Sequence, residues 1–331
     1  MRAHPRIDKQ QNQTVPGLGL GGERGNFDMI SNAKRLNWQG ALAGTPYTAV
    51  GLLGAGTTSK VYEALGPEGE RCAVKVLRPH HSASSDVALR LAREGRALAH
   101  LRHPRIVRAR DAGTTPDGRP YFTMDILTGE TLRDRLDRVG KLPVARAFLW
   151  ILGALDALDA AHRAGIIHRD VKPSNIFLRK DPERPGIEYA MLLDFGIAKV
   201  LDEGASFTTE RHVIGTPRYI TPEQILGGRV DARTDVYSMG LVLFEALAGR
   251  SPYDAALEED ARTSMRAHLC DDPRPLRQFV RAPAALEKVI AKAIAKSPDA
   301  RWPSAGAFAI ALERACAAIA TSDIAIWSEA Q

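Results

Sequence analysis

Residues 168–175 read HRDVKPSN, and residues 194–196 read DFG. The first motif directly follows residues 144–164, an Ala/Leu-rich stretch introduced by a proline, which favours the first turn of a helix. The motif therefore places Asp170 and Asn175 on one short loop after a helix. A polar turn that only caps a helix would look similar, so the rest of the chain must decide between chemistry and capping.

The composition is that of a globular protein. The chain has 331 residues, of which 44% are hydrophobic and 25% are charged. This is enough apolar material for a sizeable core, and it excludes a wholly disordered chain. The length suits two modest domains or one two-lobed enzyme. The formal charge of +6 is mild, and a solvated surface explains it better than nucleic-acid binding does.

The sequence shows no membrane span and no secretory signal. No run of about 18 or more apolar residues is present, and no apolar segment follows the basic start. The three cysteines lack the CxxC spacing of a zinc site and are too few and too widely spaced for a disulfide framework. We therefore expect reduced thiols and a cytoplasmic location.

Residues 1–46 differ from the rest of the chain. They are rich in glycine, contain a Gln/Asn cluster and are net basic, which predicts a flexible leader. Regular patterns begin near Tyr47, with strand-like segments first and helix-like segments later. The predicted strands cover residues 50–53, 61–65, 72–77, 106–109 and 121–126, and the predicted helices cover residues 87–101, 144–164, 234–248, 284–296 and 304–319.

A glycine-containing loop, GAGTTSKV at residues 54–61, lies between the first two predicted strands. Glycines let backbone N–H groups approach phosphate oxygens, although a plain hairpin turn would also use them. Ser59 stands where the usual pattern has a third glycine. Lys75 lies in an otherwise apolar strand, where its ammonium group needs an anion. Glu94 on the next predicted helix is its natural partner; the alternative is a surface lysine and a solvated glutamate.

Taken in order, these motifs resemble those of Ser/Thr protein kinases: glycine loop, strand lysine, helix glutamate, HRD loop, DFG and then TPE at residues 221–223. GIIHRDVKPSN, LLDFGIAK and GTPRYITPEQ are most similar to the bacterial eukaryotic-like Ser/Thr kinases. The resemblance implies an α+β, bilobal fold with a small β-rich N-lobe that holds one key helix and a larger helical C-lobe. The implied boundaries are residues 47–317 for the kinase domain, 47–124 for the N-lobe, 125–130 for the hinge, 131–317 for the C-lobe and 318–331 for a short tail.

The resemblance also implies an ATP-dependent site that uses Mg²⁺, with Mn²⁺ as an alternative. Asp170 would orient or accept the proton of a substrate hydroxyl, and Lys172 would lie near the γ-phosphate. The metal ligands would be Asn175 and Asp194, because hard oxygen ligands suit Mg²⁺.

The implied nucleotide site is built around Lys75, which would pair with Glu94 and hold the α- and β-phosphates. Adenine needs an apolar slot with one or two backbone hydrogen bonds. The other implied contacts are the loop residues Leu53, Gly54, Ala55 and Gly56, the upper wall Val61 and Ala73, the gatekeeper Met124, the hinge residues Asp125 and Leu127 and the lower wall Phe177.

The segment between DFG and TPE carries hydroxyls that resemble activating phosphorylation sites. We hypothesise autophosphorylation at Thr208 or Thr209, with Ser206 as a further candidate, because a phosphate there could pair with Arg169. The alternative is that these are solvent-facing hydroxyls, with Glu210 already supplying a negative charge.

Four further residues receive roles from the resemblance alone. Thr216 would face the protein substrate. Glu223 would form a buried pair with Arg301, and Asp235 would hold the backbone of the HRD loop. We interpret these last three residues as structural anchors.

The sequence thus predicts a Ser/Thr protein kinase that acts on protein substrates and phosphorylates its own activation segment. A pseudokinase-type scaffold that binds nucleotide is the alternative, and a small-molecule phosphotransferase of related fold is a third possibility. Neither nucleic acid nor a membrane span is expected. The resemblance leaves open whether the chain forms a homodimer through its N-lobe.

Overall fold

The structure is a computed structural model that describes residues 38, 40–56, 59–78, 101–195, 218–254 and 260–322, with side chains to 317. Strands dominate before residue 125 and helices after it, as the predicted α+β class requires. The strands are β1 (Thr48–Ala55), β2 (Ser59–Leu65), β3 (Arg71–Leu77), β4 (Ala109–Thr114), β5 (Pro120–Met124), β6 (Gly129–Thr131), β7 (Ile176–Lys180) and β8 (Glu188–Leu192). The helices are α1 (Leu132–Val139), α2 (Val144–Arg163), α3 (Pro222–Ile225), α4 (Ala232–Ala248), α5 (Ala261–Cys270), α6 (Ala284–Ala293) and α7 (Ala305–Ser322).

The N-lobe is built on a five-stranded sheet with strand order β1-β2-β3-β5-β4, and the described pairs of neighbouring strands are antiparallel. Side chains alternate between the two faces of a strand, so each strand can serve two environments. One face carries the N-lobe core: Tyr62, Ala64, Cys72, Val74, Val76 and Tyr121. The other face is thereby left for a ligand.

The residues just before β1 cover this core. Leu42 is 2% exposed and packs in the same cluster as Tyr62. The Tyr47 hydroxyl donates a 2.7 Å hydrogen bond to Asp111 on β4, and burial, with this carboxylate, raises the pKa of Tyr47 to about 12. The folded part therefore begins before the predicted boundary at Tyr47, whereas residues 1–37 and 39 lie outside the described residues.

Leu42→Ala is expected to lower the free energy of unfolding by about 2–3 kcal/mol, because it removes a fully buried side chain and leaves a cavity. Urea unfolding would measure the loss. Leu149→Ala is the matched control, since Leu149 is 50% exposed and its truncation should cost less than about 0.5 kcal/mol. Equal effects of the two substitutions would contradict the packing of this segment.

The C-lobe core surrounds α4. Residues from Thr234 to Leu247 are all buried, and a helix that is apolar on nearly every side belongs in the centre of a domain. The helix begins at Asp231, whose side chain accepts from the N–H of Arg233, and ends at Gly249 in the left-handed conformation. Helices α2, α6 and α7 pack around it.

One predicted element is shifted, and several observed elements were not predicted. The strand expected at residues 106–109 lies at Ala109–Thr114, because Ile106 instead forms an isolated bridge to Leu192 and joins the C-lobe core. Helix α1 was missed because it has only two buried apolar residues, although its Thr131/Asp134 capping box was readable. Helices α3 and α5 were also missed, and the helix predicted over residues 87–101 falls almost wholly outside the described part. No described helix is long and apolar enough to cross a membrane.

Candidate active site

The strand register brings the predicted nucleotide residues to one face of the N-lobe sheet. Val61 lies opposite Lys75 across β2 and β3, and Ala73 lies opposite Met124 across β3 and β5. Residues paired across antiparallel strands share a face, as do alternate residues of one strand. Phe122, opposite Lys75 on β5, shares this face and was not predicted. This is the face that the N-lobe core does not use.

Lys75 is the buried cation of this face. It is 8% exposed, and its Nζ lies 5.7 Å from the centre of the Phe122 ring. Its partner is Asp194, whose Oδ1 lies 2.5 Å from Nζ. The lysine thus reaches from the N-lobe sheet to the DFG motif of the C-lobe. Glu94, the partner expected from the sequence, lies outside the described residues.

Three side chains converge on the loop after α2. The Lys172 ammonium donates to Asp170 Oδ2 at 2.7 Å. The Asn175 amide nitrogen donates to the Asp170 carbonyl oxygen at 2.8 Å and to Oδ2 at 3.1 Å. A single 3₁₀ turn, Pro173–Asn175, makes this convergence possible by folding Asn175 back over the loop. The loop presents a carboxylate whose position is fixed by two donors.

Asp235 fixes the backbone of this loop through hydrogen bonds. Its carboxylate is fully buried and accepts from the backbone N–H of His168 at 2.7 Å and of Arg169 at 2.8 Å. His162 Nε2 lies 2.7 Å from the same carboxylate. Arg169 has a φ of +63°, which costs a non-glycine residue about 1–2 kcal/mol. The two hydrogen bonds to Asp235 stabilise that backbone conformation.

His168 joins the loop to the DFG motif, a role the sequence did not reveal. The ring is fully buried and its centroid lies 4.7 Å from that of Phe195. Its Nε2 lies 2.9 Å from the carbonyl oxygen of Leu193, which can only accept, so Nε2 carries the proton. Burial lowers the pKa of His168, which keeps the ring neutral. The residue before Asp194 is therefore tied to the HRD loop.

The metal ligands implied by the resemblance lie on neighbouring backbone segments. The N–H of Leu193 donates to the Asn175 carbonyl at 2.9 Å, which brings Asn175 beside Asp194. Because the Asn175 amide nitrogen is engaged by Asp170, its amide oxygen remains to accept. Asp194 has a second carboxylate oxygen besides the one that faces Lys75. An amide and a carboxylate oxygen fit the hard ligands that Mg²⁺ takes.

The hinge connects the two lobes beside this site. Met124 ends β5, and Gly129–Thr131 already forms β6 of the C-lobe sheet, so the turn between them is short. Within the described part of the chain, no residue hydrogen-bonds to the backbone N–H of Leu127. Phe177, the predicted lower wall, lies on β7 opposite Thr131. Leu53, the first of the glycine-loop residues, is 50% exposed.

The predicted anchors meet in the C-lobe core. Arg301 and Glu223 form a two-pronged ion pair with both N–O distances 2.8 Å, and Arg301 is 3% exposed. Thr234 of α4 donates to the same carboxylate at 2.7 Å. The pair ties the end of the TPE motif to α4 and to the segment before α7. Ser206, Thr208, Thr209 and Thr216 lie outside the described residues, so their roles stay predictions.

A buried lysine paired with an aspartate, and a nearby loop that carries a fixed carboxylate, a lysine and an asparagine, are the groups that a nucleotide-dependent phosphotransferase needs. The chain belongs to the protein kinase family: the family described as "Protein kinase domain" matches residues 47–309.

The chain is similar in sequence and structure to bacterial Ser/Thr protein kinases. It is 40% identical over 260 residues to the serine/threonine-protein kinase PknB of Mycolicibacterium smegmatis. The aligned residues cover 77% of this chain and 40% of the relative. It is also 40% identical to the serine/threonine-protein kinase Pkn1 of Myxococcus xanthus, over 80% of this chain and 37% of that protein. The chain thus spans about two fifths of these relatives. The crystal structure of the Mycobacterium tuberculosis PknI kinase domain matches 82% of this chain and 96% of that domain, with a TM-score of 0.65 at 30% identity. The predicted bilobal fold is confirmed.

Proposed function

We propose that this chain transfers the γ-phosphoryl group of ATP to serine and threonine hydroxyls of proteins. The observation that carries the proposal is the convergence of Lys172 and Asn175 on the Asp170 carboxylate, with Asp194 beside this loop and facing Lys75. Phosphoryl transfer needs positioning and charge neutralisation more than covalent help from the protein. These residues supply both.

In the proposed reaction, a bond forms between the acceptor hydroxyl oxygen and the γ-phosphorus. The bond from that phosphorus to the β,γ-bridging oxygen breaks, and ADP leaves. The Asp170 carboxylate orients the hydroxyl and takes its proton, which then passes to solvent. The Lys172 ammonium neutralises charge that develops on the transferred group. Bound Mg²⁺ would be held by Asn175 and Asp194 and would screen the phosphate oxygens.

The names of the relatives support serine and threonine as acceptors and proteins as substrates. We place the reaction in the cytoplasm, because Cys72, Cys270 and Cys316 are unpaired and a reducing compartment keeps thiols in that form. Whether the chain forms a homodimer through the N-lobe stays open, and sedimentation of the purified chain would test it.

Incubation of the purified chain with labelled ATP, Mg²⁺ and an added acceptor protein should give phosphoserine and phosphothreonine on the acceptor but no phosphotyrosine. We also expect autophosphorylation within residues 194–223, at Thr208 or Thr209 and less at Ser206. Mass spectrometry of that peptide would locate it. Nucleotide binding without transfer would favour a scaffold, and transfer only to small molecules would overturn the protein-kinase proposal. Acceptor phosphorylation with an unmodified peptide would reject autophosphorylation alone.

A further inference from the structure

Two arginines from separate segments flank one carboxylate on the surface of the C-lobe. Arg218 lies near the end of the segment that joins the DFG motif to the TPE motif, and Arg250 directly follows Gly249 at the end of α4. Arg218 Nη1 lies 4.0 Å from Asp254 Oδ1, and Arg250 Nε lies 3.7 Å from Asp254 Oδ2. Two positive charges therefore share a single negative charge.

The N–H groups of these arginines are not used up at Asp254. Both distances are longer than a hydrogen bond, which takes about 2.7–3.2 Å between nitrogen and oxygen. Asp254 Oδ1 instead accepts from the backbone N–H of Ser251 at 2.9 Å. Within the described part of the chain, neither arginine donates a hydrogen bond to a protein acceptor, and their side chains are 39% and 53% exposed. Their donors are therefore open to a ligand from solvent.

A third arginine adds to the positive charge of this surface. The guanidinium carbons of Arg250 and Arg274 lie 5.7 and 4.6 Å from the centre of one ring, that of Phe279. Among the described residues, three arginines and one aspartate are thus brought together, and like charges held near one another repel. A further carboxylate beside Arg218 and Arg250 would relieve that repulsion and accept two-pronged hydrogen bonds from a guanidinium group.

The backbone that carries Arg218 is held in place by contacts with α4. The carbonyl oxygen of the next residue, Tyr219, accepts from Ser238 Oγ at 2.8 Å, and the Tyr219 hydroxyl donates to the Glu245 carboxylate. Glu245 is buried and also accepts from Arg133 of α1 at 2.8 Å. Both arginines of the pair are therefore mounted on the same helix, so less order has to be gained when a ligand binds between them.

This surface adjoins the HRD loop. Gln224, which follows the TPE motif, donates from Nε2 to the carbonyl oxygen of Arg169 at 2.9 Å, next to Asp170. The six residues from Arg218 to Gln224 span at most about 20 Å. A protein segment that brings a hydroxyl to Asp170 can therefore reach the arginine pair with a residue no more than about six positions away.

We propose that Arg218 and Arg250 recognise a carboxylate side chain of the protein substrate, at a position other than the residue that is phosphorylated. The inference rests on the proposed transfer to protein hydroxyls, and it adds a preference for substrates with an acidic residue near the acceptor. The two arginines are specificity-determining residues, because they decide which substrate binds and do not act on the phosphoryl group.

Peptides with one central threonine test this preference. A single glutamate is placed in turn at each of the six positions on either side, and glutamine at the same position gives the uncharged match. For the unaltered chain, glutamate in at least one position is expected to raise kcat/KM by about three- to tenfold over glutamine, mainly by lowering KM. The gain should shrink as the salt concentration rises from about 0.05 to about 0.5 M, because salt screens exposed charges.

Substitutions show whether the arginine pair causes the preference. In the double variant Arg218→Gln with Arg250→Gln the preference for glutamate should disappear, while the rates with the glutamine peptides stay within about twofold. In the single variant Arg250→Glu the preferred residue at the same position should change from glutamate to lysine, because the charge of the site is reversed. This single variant leaves the segment that carries Arg218 untouched, so it decides the question even where the double variant does not fold.

Arg163→Gln is the matched control, because Arg163 is 72% exposed and pairs with Asp159 on α2, beside the start of α7. It should keep the full preference for glutamate. No gain from glutamate at any position, or a gain that the double variant or Arg250→Glu retains, would overturn this inference while phosphoryl transfer to peptides stood. An unaltered chain that phosphorylated none of the peptides would overturn the proposed function together with it.

Discussion

Asp170→Asn is expected to lower kcat by about 10²- to 10⁴-fold, the range that general acid–base groups contribute. Asparagine has nearly the same shape, so the loop should keep its fold, but an amide cannot take a proton from the acceptor hydroxyl. The variant also loses the negative charge that Lys172 faces at 2.7 Å. Initial rates with labelled ATP and an acceptor protein would give kcat, and titration with Mg·ADP would give the affinity. We expect the affinity to change less than about threefold, since Asp170 acts on the acceptor.

Asp156→Asn provides the control for this experiment. Asp156 lies on the outer surface of α2, its side chain is 61% exposed, and it pairs with His103. The same chemical change there should leave kcat within about a factor of two, as surface substitutions usually do. A residual rate above about a tenth in Asp170→Asn would show that Asp170 is not the proton acceptor.

Arg301→Met is expected to lower the free energy of unfolding by about 3–5 kcal/mol, because it leaves the Glu223 carboxylate buried without its partner. Besides the two bonds to Glu223, the guanidinium donates to the carbonyls of Arg233, Ala295 and Lys296. All five of its N–H groups are therefore used, and methionine fills similar volume without replacing any of them. Urea unfolding would measure the loss.

Two further variants separate charge from packing. Adding Glu223→Gln to Arg301→Met removes the uncompensated charge and should recover part of the lost stability. Arg266→Met breaks an ion pair with Asp271 in which the arginine is 63% exposed, and it should cost less than about 1 kcal/mol. If Arg301→Met cost no more than Arg266→Met, the buried pair would not be a structural anchor.

The effect of Arg301→Met should depend on pH. Burial acts to raise the pKa of Glu223, but the hydrogen bonds and charge of Arg301, with Thr234, outweigh it and hold that pKa below its usual value. A carboxyl group with a lowered pKa adds stability at neutral pH, and this is lost as the pH falls through the lowered value. Without Arg301 the hydrogen bond from Thr234 still opposes burial, but the hydrogen bonds and charge of the guanidinium are lost, and the pKa of Glu223 should rise. The stability gap between the two proteins should therefore narrow on acidification from about pH 7 to about pH 4. A constant gap would show that charge is not the cause.

Sequence patterns predicted the elements that depend on neighbouring residues. The Ala/Leu-rich run at residues 144–164 gave α2 almost to the residue, because a long buried helix has a strong local signal. The short helix α1 was not predicted, because its two buried leucines, Leu132 and Leu136, give only a weak helical periodicity. The strand expected at residues 106–109 was misplaced because an apolar residue such as Ile106 does not reveal which lobe buries it.

The residues proposed for the site were assigned through family resemblance, and the contacts among those of the HRD loop are local. Asp170, Lys172 and Asn175 lie within one turn-rich loop, and their mutual contacts follow from short chain separation. The anchors Glu223 and Arg301 were assigned through family resemblance, since nothing local in either stretch indicates the other. The roles of Phe122 and His168 were missed because they depend on strand register and on a backbone carbonyl.

The sequence by itself determined which groups this protein has for chemistry and in what order the chain presents them. Only the tertiary structure decided that Lys75 faces Asp194, that Asp235 stabilises the strained Arg169, that Arg218 and Arg250 flank Asp254 and that Leu42 belongs to the N-lobe core. The physical reason is that contacts between distant segments are set by strand register and by packing of whole elements. These are collective properties, and no residue's immediate neighbours encode them.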